Sequence, residues 1–237
     1  MTRGYPDYSP GAARSEEGKF LPTIAKSPVW LEDNFESPVN KWIITEGAAI
    51  IESESSGGSF DVGPYSGSGA LKMTAGLGDE GNVQRYIGAI PLTLRVGISY
   101  FFRLVDGDDF LDAANSITLV YMDIRTGVYA HIFGIRFNYA DGKWYYYDGT
   151  TPSYIHLFTR KIADNFYHFI KLIIDPITHK YISLQIDSYI YDMSALSFYY
   201  AASAVTMRSI FSVTINSAVA VNAEYYIDNF KITYGES

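Results

Sequence analysis

Turn signals punctuate this chain too often for long helices to form between them. Gly57-Gly58, Ser66-Gly-Ser-Gly69, Asp106-Gly107, Thr126-Gly127, Asp141-Gly142 and Asp148-Gly149 divide it into short runs. Asp-Gly pairs tolerate positive φ and close tight hairpins. The runs between them alternate with period two or are solidly apolar, which is the strand pattern. Residues 70–74, 94–104, 116–124, 128–138, 143–147, 167–174, 181–186, 209–215 and 225–234 are the clearest cases. About a dozen strands are expected by this reading. The nearest approach to a helical stripe is residues 194–204, Ser-Ala-Leu-Ser-Phe-Tyr-Tyr-Ala-Ala-Ser-Ala.

Composition agrees with an all-β chain. Among 237 residues there are 21 Tyr, 14 Phe and 3 Trp, types that favour a pleated, half-buried surface. Many antiparallel strands without intervening helices predict a two-sheet antiparallel β-sandwich over residues 29–237. The absence of cysteine excludes disulfides, thiolate metal sites and thiol catalysis. No apolar run is long enough for a membrane-crossing helix, so no membrane insertion is expected. The net charge is −8, and residues 31–120 hold thirteen acidic against five basic side chains. That balance argues against nucleic acid as the partner.

Residues 1–28 read as an extended N-terminal arm. They contain Pro6, Pro10, Pro22 and Pro28, show no periodicity and lack the apolar core of a secretion signal. The expectation is an assembly device that docks on the domain or on a neighbouring subunit. Its Arg3-Gly-Tyr5-Pro-Asp-Tyr8 opening resembles the starts of some phage and virus structural proteins. Arg3, Tyr5, Tyr8 and Phe20 are its candidate contacts.

A second resemblance covers about residues 29–234. Trp30-Leu-Glu-Asp-Asn-Phe-Glu36, followed by Trp42 and Gly47, opens the sandwich, and Tyr225-Tyr-Ile-Asp-Asn-Phe-Lys-Ile232 closes it. These strings resemble the concanavalin A-like lectin/glucanase and carbohydrate-binding-module jelly rolls. Asn165-Phe-Tyr-His-Phe-Ile-Lys-Leu-Ile-Ile-Asp175, with Thr178-His-Lys-Tyr181 and Gln185-Ile-Asp187, is similar to a laminin-G-like hairpin. The resemblance implies a jelly-roll sandwich. It also implies a structural calcium tying the opening to the closing strand at Glu36 and Asp228, with Asp33 contributing.

Catalytic patterns are not found. The concanavalin-like glucanases carry a Glu-x-Asp-x-x-Glu string on one strand, which this chain lacks, and no glutamate lies between Glu80 and Glu224. Asp123, Asp175 and Asp187 could replace them, but each is expected at a strand end, where a turn favours Asp. His131, His156, His168 and His179 are far apart, without a second ligand at metal spacing, and His168 reads as structural. The acidic run Asp106-Gly-Asp-Asp109 with Asp112 reads as a solvated loop, since it lacks EF-hand spacing.

Aromatic platforms remain. In Lys143-Trp-Tyr-Tyr-Tyr-Asp148, alternation puts Trp144 and Tyr146 on one face and Tyr145 and Tyr147 on the other. One pair must enter the core. Tyr154 follows the next turn, and Tyr199-Tyr200 is a further patch. These surfaces suit another subunit first and a glycan second. The expected function is a non-catalytic structural or adhesive protein of a virion or surface particle. It would be a homo-oligomer or bind other particle proteins or cell-surface glycan. The alternatives are a stand-alone carbohydrate-binding module and, third, a glycosidase or polysaccharide lyase.

Overall fold

The computed structural model describes residues 28–35, 42–46, 65, 70–75, 80–90, 92–105, 116–163, 165–216 and 223–236. Arg3, Tyr5, Tyr8, Phe20, Glu36 and the acidic run 106–112 lie outside them.

The described strands are β1 (Val29–Asp33), β2 (Ile43–Glu46), β3 (Leu71–Ala75), β4 (Glu80–Ile87), β5 (Val96–Val105), β6 (Ser116–Arg125), β7 (Tyr129–Asn138), β8 (Lys143–Tyr147), β9 (Tyr154–Thr159), β10 (Tyr167–Asp175), β11 (Lys180–Ile186), β12 (Tyr189–Asp192), β13 (Tyr199–Ala202), β14 (Arg208–Asn216) and β15 (Ala223–Tyr234). Two antiparallel sheets stack as a sandwich. One has the order β1-β15-β5-β10-β11-β12, with β3 also paired to β15. The other has the order β2-β4-β14-β6-β7-β8-β9, with β13 also paired to β7.

Period-two alternation decides the inner faces. Along β10, His168, Ile170, Leu172 and Ile174 are buried and the residues between them are half-buried. Tyr100 of β5 meets Phe211 of β14 in the core at a ring-centroid distance of 6.2 Å, with Phe102 buried beside Tyr100. Residues 194–204 hold no helix. Phe198 is buried 5.4 Å from Phe133, and β13 follows it as a strand on β7, because pairing there satisfies the backbone that β8 leaves open.

Two tyrosines cross the core and brace the opposite sheet. The Tyr100 hydroxyl donates to the Leu119 carbonyl at 2.5 Å, beside the register shift between Thr118 and Val120. The Tyr181 hydroxyl donates to the Tyr147 carbonyl at 2.8 Å and accepts from the Gly134 N–H at 3.2 Å. Each catches backbone groups at an irregular point of a ladder, where an unmet buried group would cost about 1–3 kcal/mol.

An ion pair also links the layers. Arg85 of β4 points into the core opposite Phe211 and is 2% exposed. Its guanidinium lies 5.7 Å from the Trp42 ring and 5.9 Å from the Phe230 ring. Its Nη1 donates to Oδ2 of Asp33, at the end of β1 in the other sheet. Asp33 also accepts from Trp42 Nε1 at 3.3 Å and from the Phe35 N–H at 3.1 Å.

His168 is held at both nitrogens, by Asp187 Oδ2 at 2.9 Å and the Ala163 carbonyl at 2.6 Å. Both partners are acceptors, so the ring that suits the site is the imidazolium. Burial opposes that charge, but the bonds to Asp187 and Ala163 outweigh it and the His168 pKa is raised. Burial likewise opposes ionisation of Asp187, yet His168 and the Phe169 N–H lower its pKa. The raised histidine contributes stability that is full below its unfolded pKa of about 6.5 and is lost as pH rises through the folded value. The lowered carboxylate contributes stability above its unfolded pKa of about 3.9, lost as pH falls through the folded value. The stability difference between wild type and His168→Gln should therefore peak between about pH 4 and 6.5 and shrink above neutrality. Urea midpoints across pH check this; a difference that keeps growing above pH 7 would contradict it.

Candidate functional site

The outer face of the eight-stranded sheet is built in rows by the strand register. One row runs Asn82, Thr214, Thr118, Arg136, Tyr145 and His156. The next holds Gln84, Ser212, Tyr121 and Gly134, with Tyr147 paired to Tyr154. A third runs Tyr86, Ile210, Asp123, Ile132 and Tyr199. The last pairs Arg208 with Arg125 and ends on Ala130 and Ala201. Residues directly opposite on neighbouring strands share a face, so these side chains form one surface.

Tyrosines occupy its centre. The Tyr121 and Tyr147 rings meet edge-on at 6.0 Å, and Tyr147 meets Tyr154 at 5.3 Å. Gly134 makes this close approach possible. A Cβ there would lie 2.7 Å from the Val120 carbonyl and 2.8 Å from the Tyr154 hydroxyl. Burial and the neighbouring Asp123 push the Tyr121 phenol up to about 12. Burial and the nearby Tyr199 raise Tyr147 in the same direction, and burial raises Tyr154. All three hydroxyls thus stay protonated through neutral pH; that of Tyr154 is buried against Gly134, and those of Tyr121 and Tyr147 are the ones that can donate to and accept from a ligand.

Asp123 anchors the polar end. Its Oδ1 takes Arg125 Nε at 2.5 Å and its Oδ2 takes Arg208 at 3.0 Å. Arg125 Nη1 donates to Ser203 Oγ at 3.0 Å. At the other end the Arg136 guanidinium lies 4.0 Å over the Tyr154 ring, and its Nε donates to Thr118 Oγ1 at 3.3 Å. The arrangement supplies aromatic rings for apolar ligand faces and fixed donors for hydroxyl or anionic groups.

The structure separates the aromatic residues picked out by sequence. Trp144 is wholly buried, with Nε1 bonded to the Arg160 carbonyl at 2.9 Å, and Tyr146 is 8% exposed. Neither ring is open to a ligand. Tyr145 and Tyr147 form the outer pair, and Tyr154 and Tyr199 join them on the same face. Tyr200 points the other way. It stacks on His179 at 3.7 Å and on Tyr129 at 5.0 Å, at one end of the sandwich.

Asp123 and the histidine pair His131 and His179 differ from the expectation, while Asp175 meets it. Asp123 is not in a turn: β6 continues to Arg125, so the carboxylate stands on the sheet face between two arginines. Asp175 does cap a turn, accepting from the Ile177 and Thr178 N–H groups at 3.0 and 3.2 Å. His131 and His179, 48 positions apart in sequence, bring their rings to 5.6 Å. Burial, with His179 nearby, pushes His131 down to about 4, which keeps it neutral at pH 7.

Of the carboxylates named for calcium, the two described ones, Asp33 and Asp228, have other partners. Asp33 is neutralised by Arg85. Asp228 is fully buried and accepts from the Asn229 N–H at 2.6 Å. Among the described residues, no group of three or more His, Asp or Glu side chains could hold a metal ion. The donors that are described therefore do not fit a bound cation at Asp33, where a guanidinium already supplies the positive charge.

Sequence reading missed Tyr121, Arg125, Arg136 and Arg208 as site residues. A signal for the first two exists: within the apolar run Ser-Ile-Thr-Leu-Val-Tyr-Met-Asp-Ile-Arg of β6, Tyr121, Asp123 and Arg125 recur with period two.

The chain matches no protein-family model and no curated protein sequence. Solved structures do match. The carbohydrate recognition domain of Emp47p is 12% identical with a TM-score of 0.58, over 91% of this chain and 100% of that one. Peanut lectin is 13% identical with a TM-score of 0.53, over 86% and 96%. The conserved carbohydrate esterase vb_24B_21 of the Shiga toxin-encoding bacteriophage phi24B is 15% identical with a TM-score of 0.54, over 88% and 99%. A sialidase is matched over only 18% of its own chain. This is the lectin-like jelly-roll fold. It covers the sandwich as a whole, and at these identities the likeness is one of fold.

Proposed function

We propose that this protein is a non-catalytic carbohydrate-binding jelly roll whose ligand lies on the outer face of the eight-stranded sheet. The observation that carries this is the Tyr121–Tyr147–Tyr154 ring cluster, with the protonated hydroxyls of Tyr121 and Tyr147, set between rows of hydrogen-bonding side chains. Sugar rings present apolar CH faces and rims of hydroxyls, and such a surface complements both. The lectin domains of the same fold support the reading.

A non-catalytic role is favoured by Asp123. Both its oxygens are engaged by arginines, so neither is free to reach a glycosidic oxygen or an attacking water. Display on a virion or other particle, through residues 1–28, is the wider setting in which such a module would act. Removing residues 1–28 should then reduce oligomer size in light scattering while the sandwich still melts cooperatively.

The direct test is a glycan array. Wild type should bind a subset of oligosaccharides and hydrolyse none of them. Tyr121→Ala and Tyr147→Ala should each weaken binding by about tenfold, since one ring contact contributes on the order of 1 kcal/mol or more, and both should melt cooperatively. Unaltered binding by both variants would remove this face from the account.

A further inference from the structure

We infer that the ligand of this face is an anionic saccharide, a chain bearing carboxylate groups, laid along β6 and β7; this rests on the carbohydrate-binding reading above. The protein as a whole carries a charge of −8, yet on β6, β7 and β14, around the tyrosines, this face collects Arg125, Arg136 and Arg208 against Asp123, while the register positions of Glu46 and Glu80 lie off these strands, on β2 and β4. A solvated sheet face of an acidic protein has no reason to gather guanidinium groups. A face that receives negative charge does.

The two ends differ in a useful way. Arg125 and Arg208 share one carboxylate, one oxygen each, so that end keeps one positive charge in excess. Arg136 has no acidic partner among the described residues. Its Nε is tied to Thr118 and its plane is held over Tyr154, which orients the fork while its terminal nitrogens make no hydrogen bond to described residues. A guanidinium fixed in this manner matches a carboxylate through two parallel N–H donors.

Register sets the spacing. Arg136 lies opposite Thr118, and Arg125 lies opposite Ala130, six residues along β7. At about 3.3 Å per residue the two cationic poles are about 20 Å apart. Tyr121 and Tyr147 lie between them. That order of cation, aromatic rings and cation fits an extended oligosaccharide with charge at intervals better than one monosaccharide. Arginine is also the residue that stacks on rings while keeping its charge, so Arg136 over Tyr154 serves both contacts.

The test uses the full chain and an array of matched oligosaccharides: neutral, uronic acid, the methyl esters of those same uronic acids, and sulfated, with a single-stranded oligonucleotide as a separate probe. The expected result is at least tenfold tighter binding of the free acids than of their esters, weakening as salt rises. Arg136→Gln should abolish the preference for acid over ester. Arg208→Gln, at a more exposed side chain, should reduce it without loss of fold. Equal binding of acid and ester, or binding confined to neutral sugars, overturns this inference and leaves the carbohydrate reading standing. A preference for sulfate over carboxylate, or an unchanged preference in both variants, overturns it as well. A blank array overturns the carbohydrate reading itself, and binding of the oligonucleotide alone replaces both with a nucleic-acid face.

Discussion

Asp33→Ala is expected to destabilise the protein by about 3–5 kcal/mol, the cost of leaving a buried charge without its partner. Arg85 is the charge in question. It sits among Trp42, Phe211 and Phe230, with only 2% of its surface exposed. Burial pulls its pKa down while Asp33 pushes it back up. Without the carboxylate, the guanidinium would have to remain desolvated and unpaired, or drag the end of β4 toward water. The Trp42 Nε1 and Phe35 N–H groups would lose their acceptor in the same step. Urea denaturation reads the loss directly. Asp33→Leu with Arg85→Met should cost much less, because a packed apolar pair can replace a buried ion pair at little net penalty. If Asp33 instead held a calcium ion, its removal would cost more in calcium than in chelator; equal losses in the two are expected here.

Trp144→Ala should cost a similar amount, about 3–5 kcal/mol. Trp144 is wholly buried against Phe137 at 4.6 Å and Phe158 at 5.8 Å, and its indole N–H is satisfied by the Arg160 carbonyl. Truncation opens a large cavity and leaves that carbonyl without its donor. Against a typical total of about 5–15 kcal/mol, the variant should lose much of its stability. Tyr145→Ala, next along the strand but on the outer face, should shift stability by about 1 kcal/mol or less. Thermal melts of the two variants separate the faces of β8. Comparable losses would mean that the alternation along this strand is not as described.

The contrast between Trp144 and Tyr145 also shows how far a linear reading reaches. Side chains alternate with period two in any strand, so it follows from the string Lys143-Trp-Tyr-Tyr-Tyr alone that these two rings face opposite ways. Which ring enters the core does not follow. That depends on β7 and β9, which pair with β8 so that Trp144 lies opposite Phe137 and Phe158. Tyr199 and Tyr200 repeat the case. Read as one patch, they divide between the sheet face and a stack on His179 because β13 pairs with β7.

The site depends on such pairings throughout. Tyr121 and Tyr147 are 26 positions apart, and Asp123 and Arg208 are 85 apart. No local pattern announces that they will meet. Nor does anything near Asp33 in sequence announce Arg85, the cation that takes its charge.

From sequence alone came the all-β class, the positions of the main strands, the sandwich and its lectin-like resemblance, because turn chemistry and period-two alternation act over a few residues. Only the tertiary structure decided which face of each strand is buried and which carboxylates are matched by arginine. Only it showed where tyrosines and guanidinium groups gather on one face. Those outcomes depend on register between strands distant in sequence, and a shift of one residue would turn every side chain to the other side.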